Sequence, residues 1–276
     1  MKHMLEGAVV AVTGGAAGIG RATAGAMADA GASVAIGDIH AEKAAEAAEE
    51  VGRGAVGKPL DVTDRDGFDL FLDDVEAELG PIDCLVNNAG VMMLGPIEEE
   101  SREVTRAMID VNLLGVINGT QAAMDRMKPR RRGRIVNIAS QAGKAGMPGG
   151  ATYCATKFGV IGFSESVRAE LKGTGVSISW VLPGLVNTEL AAGLPDIPLM
   201  DKLAPDDIAN AVVRALAEGG SEIWVPARNQ WLDAPARLLP RALRERVFEM
   251  TGADKVLAHA DSGRREEYER RSSGLS

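Results

Sequence analysis

The sequence predicts an α/β protein: a doubly wound parallel sheet of seven strands flanked by helices, in a single domain with a C-terminal helical extension. Three observations lead there. Short β-branched runs alternate with longer Ala/Glu/Leu-rich segments along the 276 residues, the rhythm of right-handed β-α-β units. The runs are apolar without strict alternation, as strands covered on both faces must be. No fixed-period repeat, low-complexity tract or long linker divides the chain, so residues 1–226 read as the catalytic domain and 227–276 as its extension.

In order, AVVAVT (8–13), SVAIGD (33–38), AVGKPLDV (55–62), IDCLVNN (82–88), GRIVNIAS (133–140), VSISWVLP (176–183) and SEIWVP (221–226) read as strands. Between them the pattern predicts helices at 18–30, 41–51, 64–79, 101–127, 151–172 and 205–218. Residues 184–204 form a long connection, and loops of that length in compact domains are usually functional lids or disordered. The tail beyond Pro226 has a helical pattern near 231–250 and a charged end, DSGRREEYERR.

Composition narrows the function classes. A net charge of −9 and a pI near 5.0 disfavour general affinity for nucleic acid or anionic membrane surfaces. Two cysteines, Cys84 and Cys154, fall within a strand and a helix, which suits a reduced, cytoplasmic protein better than a disulfide scaffold. The start MKHMLEGAVVAVTGG lacks a signal-peptide layout, and no apolar run reaches membrane-spanning length. His3, His40 and His259 are scattered singly, so no metal site is expected. The basic run 128-KPRRRGR-134 follows a helix whose C-terminal dipole it complements, and reads as a solvated turn. The sequon at Asn118 lies mid-helix, and no G-x-S-x-G marks a serine hydrolase.

The first strand runs into 13-TGGAAGIG-20 and an Ala-rich helix. Glycines there permit a tight turn and let helix N-terminal N–H groups approach a pyrophosphate. A plain strand-to-helix turn is the competing reading. The second strand ends at Asp38, placed to accept hydrogen bonds from an adenosine ribose and to repel a 2′-phosphate; a helix N-cap is its alternative. With no Arg or Lys adjoining it, NAD is favoured over NADP. Farther on, 152-TYCATK-157 sets Tyr153 and Lys157 four residues apart on one helical face, in a chain with two tyrosines.

These segments together resemble the short-chain dehydrogenase/reductase family, whose fold is of the Rossmann type. The matches are TGGAAGIG, Asp61–Val62, NNAG (87–90), Asn112, Ser140 thirteen residues before Tyr153, YCATK and PGLVNT (183–188). The resemblance implies an NAD-dependent oxidoreductase acting on CH–OH groups. Tyr153 would be its general acid/base, Lys157 and the oxidised cofactor's charge would lower the phenol's pKa, and Ser140 would hold the substrate oxygen. Asn112 would anchor a proton relay to Lys157, or else satisfy a buried backbone group. Cofactor contacts would come from Gly14, Ala17, Gly18, Ile19 and Gly20, from Asp38, Asp61 and Val62, from Asn88, Ala89 and Gly90, from Tyr153 and Lys157, and from Pro183, Gly184, Val186 and Thr188. Ala17 stands where the family's NADP-preferring members usually carry a basic residue.

Around the site the sequence offers Met92, Met93, Met147, Leu185, Leu190, Leu194, Ile197, Leu199 and Met200, which suit a bulky hydrophobic ligand or, equally, plain core and subunit contacts. The chain's ending resembles that of family members acting on steroids, retinoids or other lipidic alcohols, which implies a hydrophobic secondary alcohol or ketone as substrate. A 3-oxoacyl-thioester reductase and a catalytically silent dinucleotide sensor are the alternatives. In the extension, Trp231, Leu232, Leu238, Leu239, Leu243, Val247 and Phe248 could cap the pocket, meet another subunit of a homodimer or homotetramer, or rest on a membrane.

Overall fold

In the structure, a computed structural model, residues 4–195, 202–236, 240, 243, 246 and 256–272 are described. Seven strands form one wholly parallel sheet: β1 (Val9–Thr13), β2 (Ser33–Asp38), β3 (Val56–Pro59), β4 (Cys84–Asn87), β5 (Gly133–Ile138), β6 (Val176–Pro183) and β7 (Glu222–Val225). Their order, β3-β2-β1-β4-β5-β6-β7, reverses direction at β1, so a crevice opens at the carboxyl ends of β1 and β4. The helices are α1 (Gly18–Asp29), α2 (Ala41–Val51), α3 (Arg65–Leu79), α4 (Arg102–Ile109), α5 (Gly115–Arg130), α6 (Ala151–Glu170), α7 (Pro205–Glu218), α8 (Arg228–Ala236) and α9 (Ser262–Ser272).

The pleat divides β1 between two cores. Val10 and Val12 face one side with Val34, Ile36, Met27 of α1 and Val212 of α7, all buried. Val9 and Ala11 face the other, with Phe68 and Leu72 of α3 and Met127 of α5. Burial on both faces explains why the strand residues are apolar without alternation. A separate cluster lies over the strands' carboxyl ends and joins Met92, Met108, Tyr153 and Leu194 to Val256 and Leu257 from the tail.

Two expectations change, and the charged end gains a definite place. The helix expected over 101–127 is broken by a π-helical turn at Asp110–Leu114, which carries the buried Asn112. Strand three stops at Pro59 rather than 62, because the Asp61 carboxylate accepts from the Thr63 N–H and hydroxyl and turns the chain. The charged end DSGRREEYERR folds back as α9, with Arg265 only 1% exposed.

The basic run does meet protein as well as water. Arg130 and Arg131 donate to the carbonyls of Ile82 and Gly173, and Arg132 pairs with Asp83, tying down the sheet's opposite edge. The sequon's Asn118 is buried and donates to the Val62 carbonyl. Among the described residues no helix is long and apolar enough to cross a membrane.

Candidate active site

At the crevice the glycine turn is held open by its neighbours. The Thr13 hydroxyl accepts from the N–H groups of Asn88 and Ala89, while the Asn88 amide donates to the carbonyls of Thr13 and Gly14. Gly14 has φ +60°, and a Cβ there would sit 2.7 Å from the Ala89 Cα. A Cβ on Gly20 would strike the Gly14 carbonyl, so α1 can start this close to the turn only with glycine there. No side chain caps the start of α1, and no acidic residue lies in its first turn. Those first N–H groups and the helix dipole therefore suit a pyrophosphate.

One cavity of about 530 Å³ runs from this turn to Ser140, Tyr153 and Lys157. It is lined by every expected cofactor contact except Gly20, which is buried beneath the turn. Asp38 stands on its wall, one oxygen accepting from the Ala16 N–H and the other from the His40 N–H. His40, not Asp38, is the N-cap of α2, so the N-cap alternative for Asp38 fails. Lys43, in the first turn of α2, lines the same cavity. The residues fit a nicotinamide dinucleotide.

At the other end, α6 starts at Ala151 and brings Tyr153 and Lys157 one above the other. Lys157 Nζ lies 5.8 Å from the Tyr153 ring centroid and donates to the Ile138 carbonyl at 3.0 Å. Burial lowers the Lys157 ammonium to about 8. Burial pushes the Tyr153 phenol well above its ordinary value; a hydrogen bond from Ser140 opposes that rise, and charge on Tyr268 or Cys154 adds to it. Ser140 lies just past the end of β5, where its hydroxyl also accepts from the Ala142 N–H and caps a short turn.

Asn112 does not line the cavity. Its carboxamide accepts from the Val91 N–H at 2.7 Å and donates to the Val91 carbonyl and the Thr156 hydroxyl, which satisfies buried backbone. Its oxygen and Lys157 Nζ flank Gly90, lying 3.2 and 3.7 Å from where a Cβ would stand.

Beyond the phenol the cavity is walled by Met92, Met147, Leu185, Leu190 and Leu194. Met93 is buried nearby and does not line it; Ile197, Leu199 and Met200 lie outside the described residues.

Comparison with known proteins agrees with this geometry. A family profile described as short chain dehydrogenase matches residues 8–196. The chain belongs to the short-chain dehydrogenase family. Among its relatives, a D-threitol dehydrogenase of Mycolicibacterium smegmatis is 40% identical over 79% of this chain and 89% of its own. The 3-oxoacyl-[acyl-carrier-protein] reductase FabG of Thermotoga maritima is 36% identical over 79% and 94%. A probable oxidoreductase EphD of Mycobacterium bovis is 34% identical over 86% of this chain and 44% of its own. As a short-chain dehydrogenase the protein is an oxidoreductase for alcohol and carbonyl groups that uses a nicotinamide cofactor.

In this short-chain dehydrogenase the pocket is closed by residues that sequence reasoning did not select. Trp231 is 79% and Leu243 48% exposed, and neither lines the cavity. Leu238, Leu239, Val247 and Phe248 lie outside the described residues, as does the side chain of Leu232. Val256, Leu257 and Tyr268 line the cavity instead. Thr13 was likewise missed as the brace of the glycine turn, although it opens the TGG motif.

Proposed function

We propose that the protein is an NAD(H)-dependent oxidoreductase that interconverts a hydrophobic secondary alcohol and its ketone. The observation that carries the substrate class is the chamber beside Ser140 and Tyr153, whose near walls are thioether and leucine side chains. Bound nicotinamide would supply or accept the hydride. Ser140 holds the substrate oxygen against the phenol, and Tyr153 gives that oxygen a proton in reduction and takes it in oxidation. Lys157 and the oxidised cofactor's charge offset the burial that makes the phenol a reluctant acid. A relay from Lys157 to solvent at Asn112 rests on the family resemblance alone, since the Asn112 carboxamide is engaged by Val91 and Thr156. Asp38 supports NAD, because its carboxylate opposes a 2′-phosphate, and Ala17 supplies no cation there.

The polar tetrol expected by a threitol dehydrogenase fits such walls poorly. Reduction of a 3-oxoacyl thioester is the second reading, favoured by the identity to FabG. A silent dinucleotide sensor is opposed by the complete Ser140–Tyr153–Lys157 set. A homo-oligomer in the cytoplasm fits best, with Ile109, Leu114 and Phe158 exposed on α4, the π turn and α6 as an apolar face.

The test is NADH- and NADPH-linked turnover of sterol, retinoid and medium-chain ketones beside a 3-oxoacyl thioester. Faster reduction of the ketones with NADH supports the proposal. Preference for the thioester with NADPH, or cofactor binding without any turnover, overturns it.

A further inference from the structure

We infer that Arg265 is a positioning residue that sets the size of the substrate the chamber accepts, by clasping α9 so that Leu257 stands as a wall of that chamber. The inference rests on the reading of the chamber as a site for an apolar alcohol or ketone. Val256 and Leu257 line the cavity and pack in one cluster with Met92, Tyr153 and Leu194, so the tail returns over the substrate side of the crevice. Room for that return is built into the chain just before α6. A Cβ on Gly150 would lie 2.5 Å from Leu257 Cδ1, and one on Gly149, at φ +78°, would lie 2.8 Å from the Ala258 Cα. Glycine at both positions lets the tail come this close to the helix that carries Tyr153.

Apolar contact alone would let the tail slide, because hydrophobic burial has no direction. Arg265, 1% exposed, removes that freedom. Its Nη1 donates to the carbonyls of Leu190 and Ala192 at 3.0 and 2.9 Å, its Nη2 to the Met92 carbonyl at 2.6 Å, and its Nε to the Glu269 carboxylate at 2.7 Å. Glu269 in turn accepts from the Leu94 N–H, and the Asp261 N–H donates to the Gly193 carbonyl. The two loops joined in this way, 91–94 and 190–194, supply Met92, Leu190 and Leu194 to the chamber walls. A rigid fork desolvated among fixed carbonyls has one register in which its charge is met, and a shift of α9 would leave buried charge unmatched. Arg265 itself does not line the cavity, so it acts through the placement of Leu257 and the two loops. A ketone longer than the chamber must displace Leu257, which the clasp holds in place, or lose its seat against Ser140 and Tyr153.

The test uses the NAD-loaded protein, which binds ketones but cannot reduce them. Dissociation constants are measured by calorimetry for unbranched methyl ketones of increasing length. For the wild type, affinity is expected to rise about fourfold with each methylene until the chain meets Leu257, and then to fall. Leu257→Ala should move that limit outward by about two methylenes, the reach of the side chain it removes. Arg265→Met removes the fork and keeps an apolar stem; it should weaken the shorter ketones and erase the limit, with NADH affinity and cooperative melting reporting an intact fold. In NADH-linked reduction of a short ketone it should raise KM more than it lowers kcat, because binding is lost while the Ser140–Tyr153 pair is untouched. A general structural defect would instead lower kcat and NADH affinity together. Should Arg265→Met fail to fold, Arg265→Lys, which keeps the charge without the fork, tests the clasp, and Leu257→Ala tests the wall. A wild-type profile without a limit, or a limit that Leu257→Ala or the Arg265 variants leave in place, overturns the inference and leaves ketone reduction standing. The expected limits without any turnover with NADH sink the oxidoreductase reading and leave the clasp in its role.

Discussion

Burial sets the proton chemistry of Tyr153 and Lys157, and it acts on the two in opposite directions. With a folded value near 8 against an ordinary 10.5, Lys157 holds fewer protons folded than unfolded between those limits. Stability therefore rises with pH across that window. Tyr153 does the reverse above pH 10, because the unfolded phenol ionises first. Calorimetric melting across pH 8–10 should show the wild type gaining on Lys157→Met as pH rises; a constant difference contradicts the lowered value. Asp38 carries a second prediction. Removing its charge in Asp38→Ala lets the nearby Lys43 act unopposed, so the NAD:NADP ratio of kcat/KM should fall about tenfold or more, the effect of roughly 1.4 kcal/mol. An unchanged ratio removes Asp38 from cofactor selection. Both residues were legible in sequence, Asp38 from its place at a strand end and Lys157 from its spacing. Lys43 was not, because only the turn at His40 brings the start of α2 back to the cavity.

The glycine turn and the π turn differ in how far sequence reveals them. The first is local: TGGAAGIG must bend, and its glycines say where. Gly20→Ala is expected to weaken dinucleotide binding at least tenfold and to cost about 1–3 kcal/mol of stability, since the new methyl meets the backbone carbonyl of Gly14 as well as the Asn88 amide. Fluorescence titration with NADH and thermal melting check both, and wild-type values in both contradict the close packing. The π turn depends on bonds between Asn112 and Val91, 21 positions away, while the helical periodicity on either side continues almost unbroken. Hence 101–127 reads as one helix. The tail hides its structure more completely. RREEYERR has the composition of a solvated helix, and Arg265 is buried only because carbonyls from two distant loops converge on it.

Across the whole molecule, strand order explains why the readable and the unreadable parts meet. The reversal at β1 gathers the ends of β1, β2, β4, β5 and β6 around one crevice, so motifs spread from Gly14 to Thr188 line a single cavity. The sequence carries that half of the site because most of its motifs sit at strand ends, where backbone duty restricts the residue type, while Tyr153 and Lys157 are marked by their spacing within α6. The substrate half is closed by Val256, Leu257 and Tyr268, whose chain returns over the sheet's carboxyl edge without any repeating signal. Central to the account is that Tyr153 moves the proton while the crevice binds the cofactor independently of it. Tyr153→Phe, assayed for NADH-linked ketone reduction beside NADH affinity, tests this most directly. The expected result is a loss of turnover on the order of a hundred- to ten-thousandfold, with the NADH dissociation constant essentially unchanged; retention of more than about a few per cent of activity would contradict it.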